Sequence, residues 1–156
     1  ELEQKFDVTI ITQNVDDLHE RGGSTNIIHL HGELLKARST ADSRLIYNRT
    51  SDINLGDKCE KGSQLRPHIV WFGEAVPEIE RAVPVVQACD IFIVVGTSLV
   101  VYPAAGLVNY TKYDAQKFLV DPGNPQIPRI PNLTFYNERA TTGVRKVVDD
   151  LLQEAS

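Results

Sequence analysis

The sequence predicts an α/β fold, with a mostly parallel sheet that carries helices on both faces and with one small inserted subdomain. Three apolar runs, at 8–11, 91–95 and 118–120, each end in a polar or glycine-containing turn. Short β-branched runs of this kind are typical of strands buried on both faces, which a parallel sheet requires. Stretches with helical spacing lie between the runs, and this alternation of strands and helices favours the α/β class.

Three stretches are predicted to be helices. The C-terminal stretch has apolar residues at the spacing of a helix that buries one face, namely Val144, Val147, Val148, Leu151 and Leu152. The stretch 78–88 has similar spacing, although Pro84 is expected to kink or shorten that helix. Pro103 fits the first turn of a third helix, which is expected to continue to Thr111.

The region 37–64 breaks this alternation. It is polar, with Ser, Thr, Asp, Asn and Gly recurring among scattered apolar residues. Compact domains seldom contain so long a stretch without secondary structure of its own. We therefore expect residues 1–36 and 65–156 to form one domain, and residues 37–64 to form a small subdomain inserted into it.

Length and composition limit the function. The 156 residues suffice for one domain, and 42% apolar with 24% charged residues is an ordinary globular composition. The net charge of −5 argues against a nonspecific nucleic-acid binder and against a basic protein of the membrane surface. Two cysteines exclude a scaffold built on disulfides, and no run approaches the ~18 apolar residues of a membrane span. We expect a cytoplasmic protein, and the absence of Met leads us to expect a processed or incomplete front end.

Polar residues follow each predicted strand. The three turns are 12–17 (Thr-Gln-Asn-Val-Asp-Asp), 96–98 (Gly-Thr-Ser) and 121–124 (Asp-Pro-Gly-Asn). Open α/β sheets bind ligands at the carboxyl ends of their strands, so these turns are candidate binding loops. Each one alone is better explained as an ordinary turn, whereas the three together predict a polar ligand of nucleotide size.

Asp16 and Asp17 stand at the start of a predicted short helix at 15–20. Carboxylates at that position favour the helix dipole and often serve only as caps, which is our interpretation of Asp17. Asp16 lies next to Gln13 and Asn14, so it is the candidate for holding an amide or hydroxyl of a ligand.

His29 and His31 close an apolar run that begins at Ile27, and strand alternation places both on one face. A histidine near a sheet edge is more often structural than catalytic. For His31, the glycine that follows leaves room for a substrate, and a neutral imidazole suits general-base catalysis near pH 7. A metal site with two histidines is the alternative, but no third ligand of matching spacing accompanies them.

The run 65–74 reads Leu-Arg-Pro-His-Ile-Val-Trp-Phe-Gly-Glu and holds the only Trp. It predicts an extended strand, and aromatic residues in strands usually belong to the core. The alternative is functional, because a strand that ends in Phe-Gly-Glu beside a cleft is suited to pairing with an extended peptide through its main chain.

Taken together, these motifs resemble the sirtuin family. The matching segments occur in that family's order and are 12–19, 31–32, 65–74, 96–105 and the C-terminal helix. Each motif alone is modest, but the ordered set is highly specific and covers essentially the whole chain. The forms at 66–74 and 100–105 are most similar to the bacterial and mitochondrial deacylase branch, which also accepts acidic acyl groups.

The resemblance implies a Rossmann-like fold and NAD-dependent removal of acyl groups from protein lysines, giving nicotinamide and O-acyl-ADP-ribose. NAD is the implied cofactor, and acyl-lysine proteins or peptides are the implied partners. His31 matches the family's catalytic histidine, which takes a proton from a ribose hydroxyl. The implied NAD contacts are Gln13, Asn14, Asp16, Gly96, Thr97, Ser98, Asp121 and Ala140. The peptide is implied to form a strand between two segments whose contact residues are Val70, Phe72, Gly73, Glu74, Val100 and Val101.

One departure from the family concerns metal. Many sirtuins hold a structural zinc ion with two Cys pairs, and here the expected positions read Ser39, Asp42 or Ser43, Cys59 and Gly62. One thiolate does not replace a tetrahedral set of four ligands, so we expect no zinc. Cys59 is then a leftover ligand position, Cys89 a small buried core residue, and no disulfide joins them.

The other departure lies at the front of the chain. The family's Gly-Ala-Gly loop, its Ile-Pro-x-Phe-Arg segment, and the Tyr and Arg that select acidic acyl groups have no counterpart here. We expect a chain that keeps the catalytic histidine and the nicotinamide pocket but lacks part of the phosphate-binding region. The alternative function is therefore a catalytically incomplete module that binds a nucleotide or a peptide.

Overall fold

The computed structural model describes residues 1–97, 104–123 and 129–154. The chain divides into two compact units. One unit is Ile10–Glu78, and the other joins Glu1–Thr9 to Ile79–Ser156. The unit Ile10–Glu78 contains the region 37–64 together with the strands before it and the run 65–74.

A parallel pair of strands opens the unit Ile10–Glu78. Strand β1 (Ile10–Thr12) pairs with β2 (Ile27–His29), and the short helix α1 (Leu18–Arg21) lies between them in sequence. Thr12 is opposite His29 in the register, so the carboxyl ends of both strands lie side by side. The first predicted strand is thus confirmed but begins at Ile10 rather than at residue 8.

An antiparallel sheet forms the rest of this unit. Strand β3 (Gly32–Ser39) is central, with β4 (Ile46–Asn48) on one side and β5 (Leu65–Ile69) on the other. The polar region 37–64 therefore supplies the end of β3 and all of β4. The buried core around this region consists of Ala37 and Cys59 together with Leu65 of β5, and Leu45, Tyr47 and Ile53 pack against these residues.

Gly32 is where β3 approaches β5 most closely. Its φ is +81°, and a Cβ atom there would lie 2.0 Å from the main-chain oxygen of His68. The sequence suggests that this glycine leaves room for a substrate. The structure corrects that interpretation, because the neighbouring strand fills the space, and glycine is needed for close backbone contact.

The other unit contains a parallel sheet of three strands in the order β6 (Ile91–Val95), β7 (Gln116–Val120) and β8 (Leu133–Tyr136). Two of these strands contain the predicted runs 91–95 and 118–120. Helix α3 (Ala140–Glu154) packs on β7, with Val147 and Leu151 buried beside Val120. The predicted C-terminal helix and its apolar stripe are confirmed.

Two other helical predictions differ in detail from the structure. Helix α2 (Ile79–Ala88) runs through Pro84, so the proline neither ends nor shortens it. The residues after Pro103 form a 3-10 helix, Ala104–Tyr110, instead of the expected α-helix. Gly106, Val108 and Asn109 have low helix propensity, which is consistent with the tighter and shorter form.

The predicted α/β class with parallel strands is confirmed. Within the described residues, main-chain hydrogen bonds divide the parallel strands into one sheet of two and one of three, where a single sheet is expected. No described helix is long and apolar enough to cross a membrane.

Candidate active site

The loop between β1 and α1 carries the polar residues predicted to bind a ligand. Three hydrogen bonds hold it: Asn14 N to Thr12 Oγ1 at 3.1 Å, Leu18 N to Asp16 Oδ1 at 3.1 Å, and Leu34 N to Val15 O at 2.7 Å. The last bond ties the loop to β3. The loop is therefore fixed at its start, middle and end.

The imidazole of His31 lies against this loop. Its Nδ1 atom is 3.1 Å from the main-chain oxygen of Gln13. A carbonyl only accepts hydrogen bonds, so Nδ1 must carry a proton and donate. In the neutral ring the lone pair then lies on Nε2, which is the nitrogen left to act as a base.

His29 lies against the same loop, one carbonyl further along. Its Nδ1 atom is 3.2 Å from the main-chain oxygen of Asn14, and its Nε2 is 2.8 Å from Oε1 of Glu20 on α1. Strand β2 ends at His29, so His31 lies in the turn that follows, and the two rings contact consecutive carbonyls of the loop. His29 is the buried one of the two, at 8% exposed.

The electrostatics around His29 favour an ion pair. Burial alone would lower the pKa of His29, but the hydrogen bond with Glu20 and the Asn14 carbonyl raise it above its ordinary value. The same hydrogen bond lowers the pKa of the Glu20 carboxyl group. Both pKa shifts mean that the charged forms, an imidazolium beside a carboxylate, are stabilised here.

The two aspartates of the loop have roles that the sequence assigns in part wrongly. Asp17 precedes α1 but makes no capping hydrogen bond with its side chain, which instead lies 3.8 Å from Arg21. Asp16 Oδ1 accepts the Leu18 amide and thus serves the helix start. The capping function predicted for Asp17 is therefore performed by Asp16, because the Asp16 carboxylate accepts the amide of Leu18, two residues further along the chain.

The segment after β5 is a turn, whereas the sequence predicts one extended strand through residue 74. The Glu74 amide donates to the Trp71 carbonyl at 3.0 Å, and Gly73 has a φ of +85°. Trp71 is 53% exposed and Phe72 is fully exposed. These aromatic residues are therefore outside the core, contrary to the usual expectation for strand residues.

Glu74 holds this turn against the sheet. Its carboxylate accepts hydrogen bonds from Arg66 at 2.6 and 3.2 Å, from Arg38 at 3.2 Å, and from the Trp71 amide at 3.0 Å. Arg66 and these other partners lower the pKa of Glu74 to about 2. Because Arg38 and Arg66 are opposite each other on β3 and β5, Glu74 also offsets the repulsion between them.

The remaining predicted NAD contacts lie in the other unit. Gly96 follows β6 with a φ of +60°, and a Cβ atom there would meet nothing within 4 Å. Asp121 follows β7, and its Oδ1 accepts the Gly123 amide at 2.7 Å, which forms a tight turn. Thr97 is half-buried, and Ala140 is exposed as the first residue of α3. Ser98, Val100 and Val101 lie outside the described residues.

The expected zinc positions are joined by hydrogen bonds. Ser39 Oγ accepts the amides of Ala41 and Asp42 at 3.2 and 3.3 Å, and the Cys59 thiol is 3.4 Å from it. The Asp42 carboxylate contacts Arg44 and Lys61, each at 3.0 Å. Both cysteines are free thiols; Cys59 is buried, and Cys89 is only partly buried just after α2.

One group in the described part of the chain has the residue types of a metal site. Glu20, His29 and Glu33 place their ligand atoms within 4.8 Å of one another. His31 does not belong to this group, so the two-histidine site considered from the sequence is not formed. Glu33 already pairs with Lys36 at 2.7 Å and Glu20 with His29, which satisfies these side chains without an ion.

Sequence reasoning misses three residues that shape the site: Glu20, Arg38 and Arg66. Glu20 lies three residues past the predicted binding turn 12–17, on a helix too short to show a pattern. The two arginines are opposite each other only through the register of β3 and β5, which no local spacing reveals.

Comparisons with known proteins agree on one family. The model of the Sir2 family matches residues 1–103. An NAD-dependent protein deacylase of Helicobacter pylori is 48% identical over 158 residues, covering 100% of this chain and 68% of its own length. One of Bacteroides thetaiotaomicron is 55% identical over 153 residues, covering 94% of this chain and 65% of its own.

Solved structures give the same result. The crystal structure of a Sir2 homologue–NAD complex has a TM-score of 0.80 at 37% identity, covering 96% of this chain and 60% of the other. A Sir2 protein bound to acetylated peptide has a TM-score of 0.78 at 31% identity, covering 96% and 66%. The chain thus spans about two thirds of the length of the proteins it matches. By sequence motifs, family match and fold, this chain belongs to the Sir2 family, the sirtuins.

Proposed function

We propose that the protein containing this chain removes acyl groups from protein lysines with NAD, giving nicotinamide and O-acyl-ADP-ribose. Two kinds of relative support this. The similar bacterial proteins are NAD-dependent protein deacylases, and the similar solved structures include complexes with NAD and with acetylated peptide. A Rossmann-like arrangement of the NAD-binding part is proposed with it.

The observation that carries the proposal is the hydrogen bond from His31 Nδ1 to the Gln13 carbonyl. It fixes the tautomer with the lone pair on Nε2, as a general base requires. It also holds the ring beside the loop that carries the proposed nicotinamide contacts, Asn14 and Asp16. His31 Nε2 would accept the proton of a ribose hydroxyl and so allow the acyl group to move onto that oxygen.

The residues present are suited to NAD at two strand ends. NAD, when bound, supplies an electrophilic ribose carbon whose bond to nicotinamide breaks. In one unit, Gln13, Asn14 and Asp16 would hold the nicotinamide and its ribose. In the other unit, the open space beside Gly96 would allow the dinucleotide to come close to the backbone. Thr97, Ser98, Asp121 and Ala140 are proposed to contact the remaining parts of the cofactor.

An acyl-lysine peptide is proposed to bind along the turn that follows β5. Val70 and Gly73 offer main-chain groups for pairing with an extended chain, and Phe72 offers a fully exposed ring. Val100 and Val101, which the family resemblance assigns to the peptide, are proposed as further contacts. Glu74 is proposed as a further peptide contact, and its hydrogen bonds from Arg66 and Arg38 support this turn.

The first prediction tests His31. In the complete gene product, His31→Ala should lower the rate of NAD-dependent deacylation of an acyl-lysine peptide about 10²–10⁴-fold, since a positioned base contributes that much. The matched control is His19→Ala, which removes an imidazole from α1 and should change the rate less than twofold or so. Undiminished deacylation by His31→Ala would refute the role of His31.

A further inference from the structure

The ring of His29 lies between two groups that can only accept hydrogen bonds. Nδ1 faces the Asn14 carbonyl at 3.2 Å, and Nε2 faces the Glu20 carboxylate at 2.8 Å. A neutral imidazole has one N–H, so one of these contacts would bring a lone pair against an oxygen. An imidazolium donates to both. The geometry therefore favours the charged ring.

The surroundings of His29 support this charge. Carboxylates approach from two elements, Glu20 on α1 and Glu33 on β3, while Lys36 pairs with Glu33 and offsets part of its charge. His19 is the other titratable group near Glu20. Burial of His29, at 8% exposed, keeps water from competing with the two hydrogen bonds.

His29 and His31 each hold one of two consecutive peptide groups of the loop. His31 donates to the carbonyl of Gln13 and His29 to that of Asn14, which is next along the chain. Through Nε2, His29 also holds Glu20 and with it α1, which ends the loop. The position of the loop relative to the His31 ring therefore depends on His29.

We propose that His29, as an imidazolium bonded to Asn14 and Glu20, is the positioning residue that locks the 13–17 loop against β2 for NAD binding. This inference rests on the proposed function for its role, but the charged ring and the lock stand on contacts within the unit Ile10–Glu78. Because the pKa of His29 is raised, the lock is complete below the ordinary value and is released as the pH rises through the folded value.

The protonation state is tested directly by nitrogen NMR of the histidine rings in the complete gene product. Both nitrogens of His29 should carry a proton at about pH 6, and one should lose it as the pH rises to about 9. A His29 ring with one bare nitrogen at about pH 6 would overturn the proposal. Zinc ion alone is the second probe. If it shifts the His29 signal in the wild type but not in Glu20→Gln, His29 binds a metal ion instead of a proton, and the proposal is overturned.

The lock is tested by amide exchange at Leu34, whose N–H donates to the loop at Val15 O. After correction for intrinsic rates, its protection in the wild type should fall roughly tenfold between about pH 6 and about pH 9. Glu20→Gln should remain protected throughout, because its amide can donate to the neutral ring, whereas Glu20→Ala should be about tenfold less protected at both values. Arg21→Gln, an exposed change on the same helix, should behave like the wild type.

The role in NAD binding is tested by kinetics of the same variants. Glu20→Ala should raise the KM for NAD roughly tenfold with kcat changed less than about twofold, and Glu20→Gln should restore the wild-type KM. Equal KM and equal Leu34 protection in all variants would refute the lock. Failure of deacylation in the wild type would refute the proposed function, while the NMR and exchange results would still decide the proposal on His29.

Discussion

Gly32 shows how a single residue decides whether two strands of the candidate site can pair. It has a φ of +81°, and an added Cβ atom would lie 2.0 Å from the His68 oxygen. Gly32→Ala should therefore lower the free energy of unfolding by about 3 kcal/mol, because backbone strain and overpacking add. Urea denaturation of the complete gene product measures this loss.

Gly56→Ala is the matched control for that prediction. Gly56 also has a positive φ, +99°, but an added Cβ atom would meet nothing within 4 Å. This variant should lose only about 1 kcal/mol, from backbone strain alone. Equal losses at the two positions would mean that β5 moves away from residue 32 at little cost, contrary to the tight approach seen between the strands.

Residues that act through local chemistry were the ones that the sequence could predict. His31 and the polar residues Gln13, Asn14 and Asp16 follow directly on apolar runs, so position along the chain predicts where they lie. Glu20 and Arg66 were not predictable in this way. Their partners are nine and eight residues away and are reached only after a loop or a turn has folded.

At the scale of elements, helix α3 and strand β7 meet at Gly143. This residue is buried in the helix, and an added Cβ atom would lie 2.5 Å from Cγ1 of Val120, which is fully buried. Gly143→Ala gains about 1 kcal/mol of helix propensity but meets a stiff branched side chain. Overpacking costs about 1–3 kcal/mol, so we expect a net loss of about 1–2 kcal/mol in the free energy of unfolding.

A double-mutant cycle checks the cause of that loss. In a Val120→Ala background the obstructing methyl group is absent, so Gly143→Ala should become neutral or stabilising. Thr141→Ala, at an exposed position of the same helix, should raise stability by a few tenths of a kcal/mol in both backgrounds. The assigned clash would be wrong if the loss from Gly143→Ala persisted without the Val120 side chain.

The elements themselves were predictable to different degrees. The apolar stripe of α3 and the run 91–95 specify a helix and a strand without help from the rest of the chain. The passage of α2 through Pro84 goes against helix propensity. The low propensities within Ala104–Tyr110 disfavour an α-helix there, but they do not by themselves specify a 3-10 helix. The bulge of β3 between Glu33 and Ala37 is likewise set by its partner, because β5 must pair on both sides of it.

Across the whole molecule, the polar region 37–64 has secondary structure of its own, as expected for a stretch too long to be structureless in a compact domain. The end of β3 pairs with both β4 and β5, and Ala37 and Cys59 form a small core with Leu65. Pairings of this kind join residues far apart in sequence, so a pattern of scattered apolar residues could not predict them. The segments around Ser39 and Cys59 are brought together by the same pairing.

The last prediction concerns how these two segments are held together. In the absence of three of four zinc thiolates, Ser39 bonds the Cys59 thiol, and Asp42 bridges to Lys61 across the segments. Arg44 and Lys61 hold the pKa of Asp42 well below its ordinary value, so this carboxyl group is ionised at the pH values at which chelators are used. Elemental analysis of the complete gene product should find less than about 0.1 zinc per chain, because one thiolate is insufficient. A strong chelator should leave Tm unchanged, whereas Lys61→Ala should lower Tm. The opposite finding would be one zinc ion per chain whose removal lowers Tm. That result would show that the metal holds the segments together.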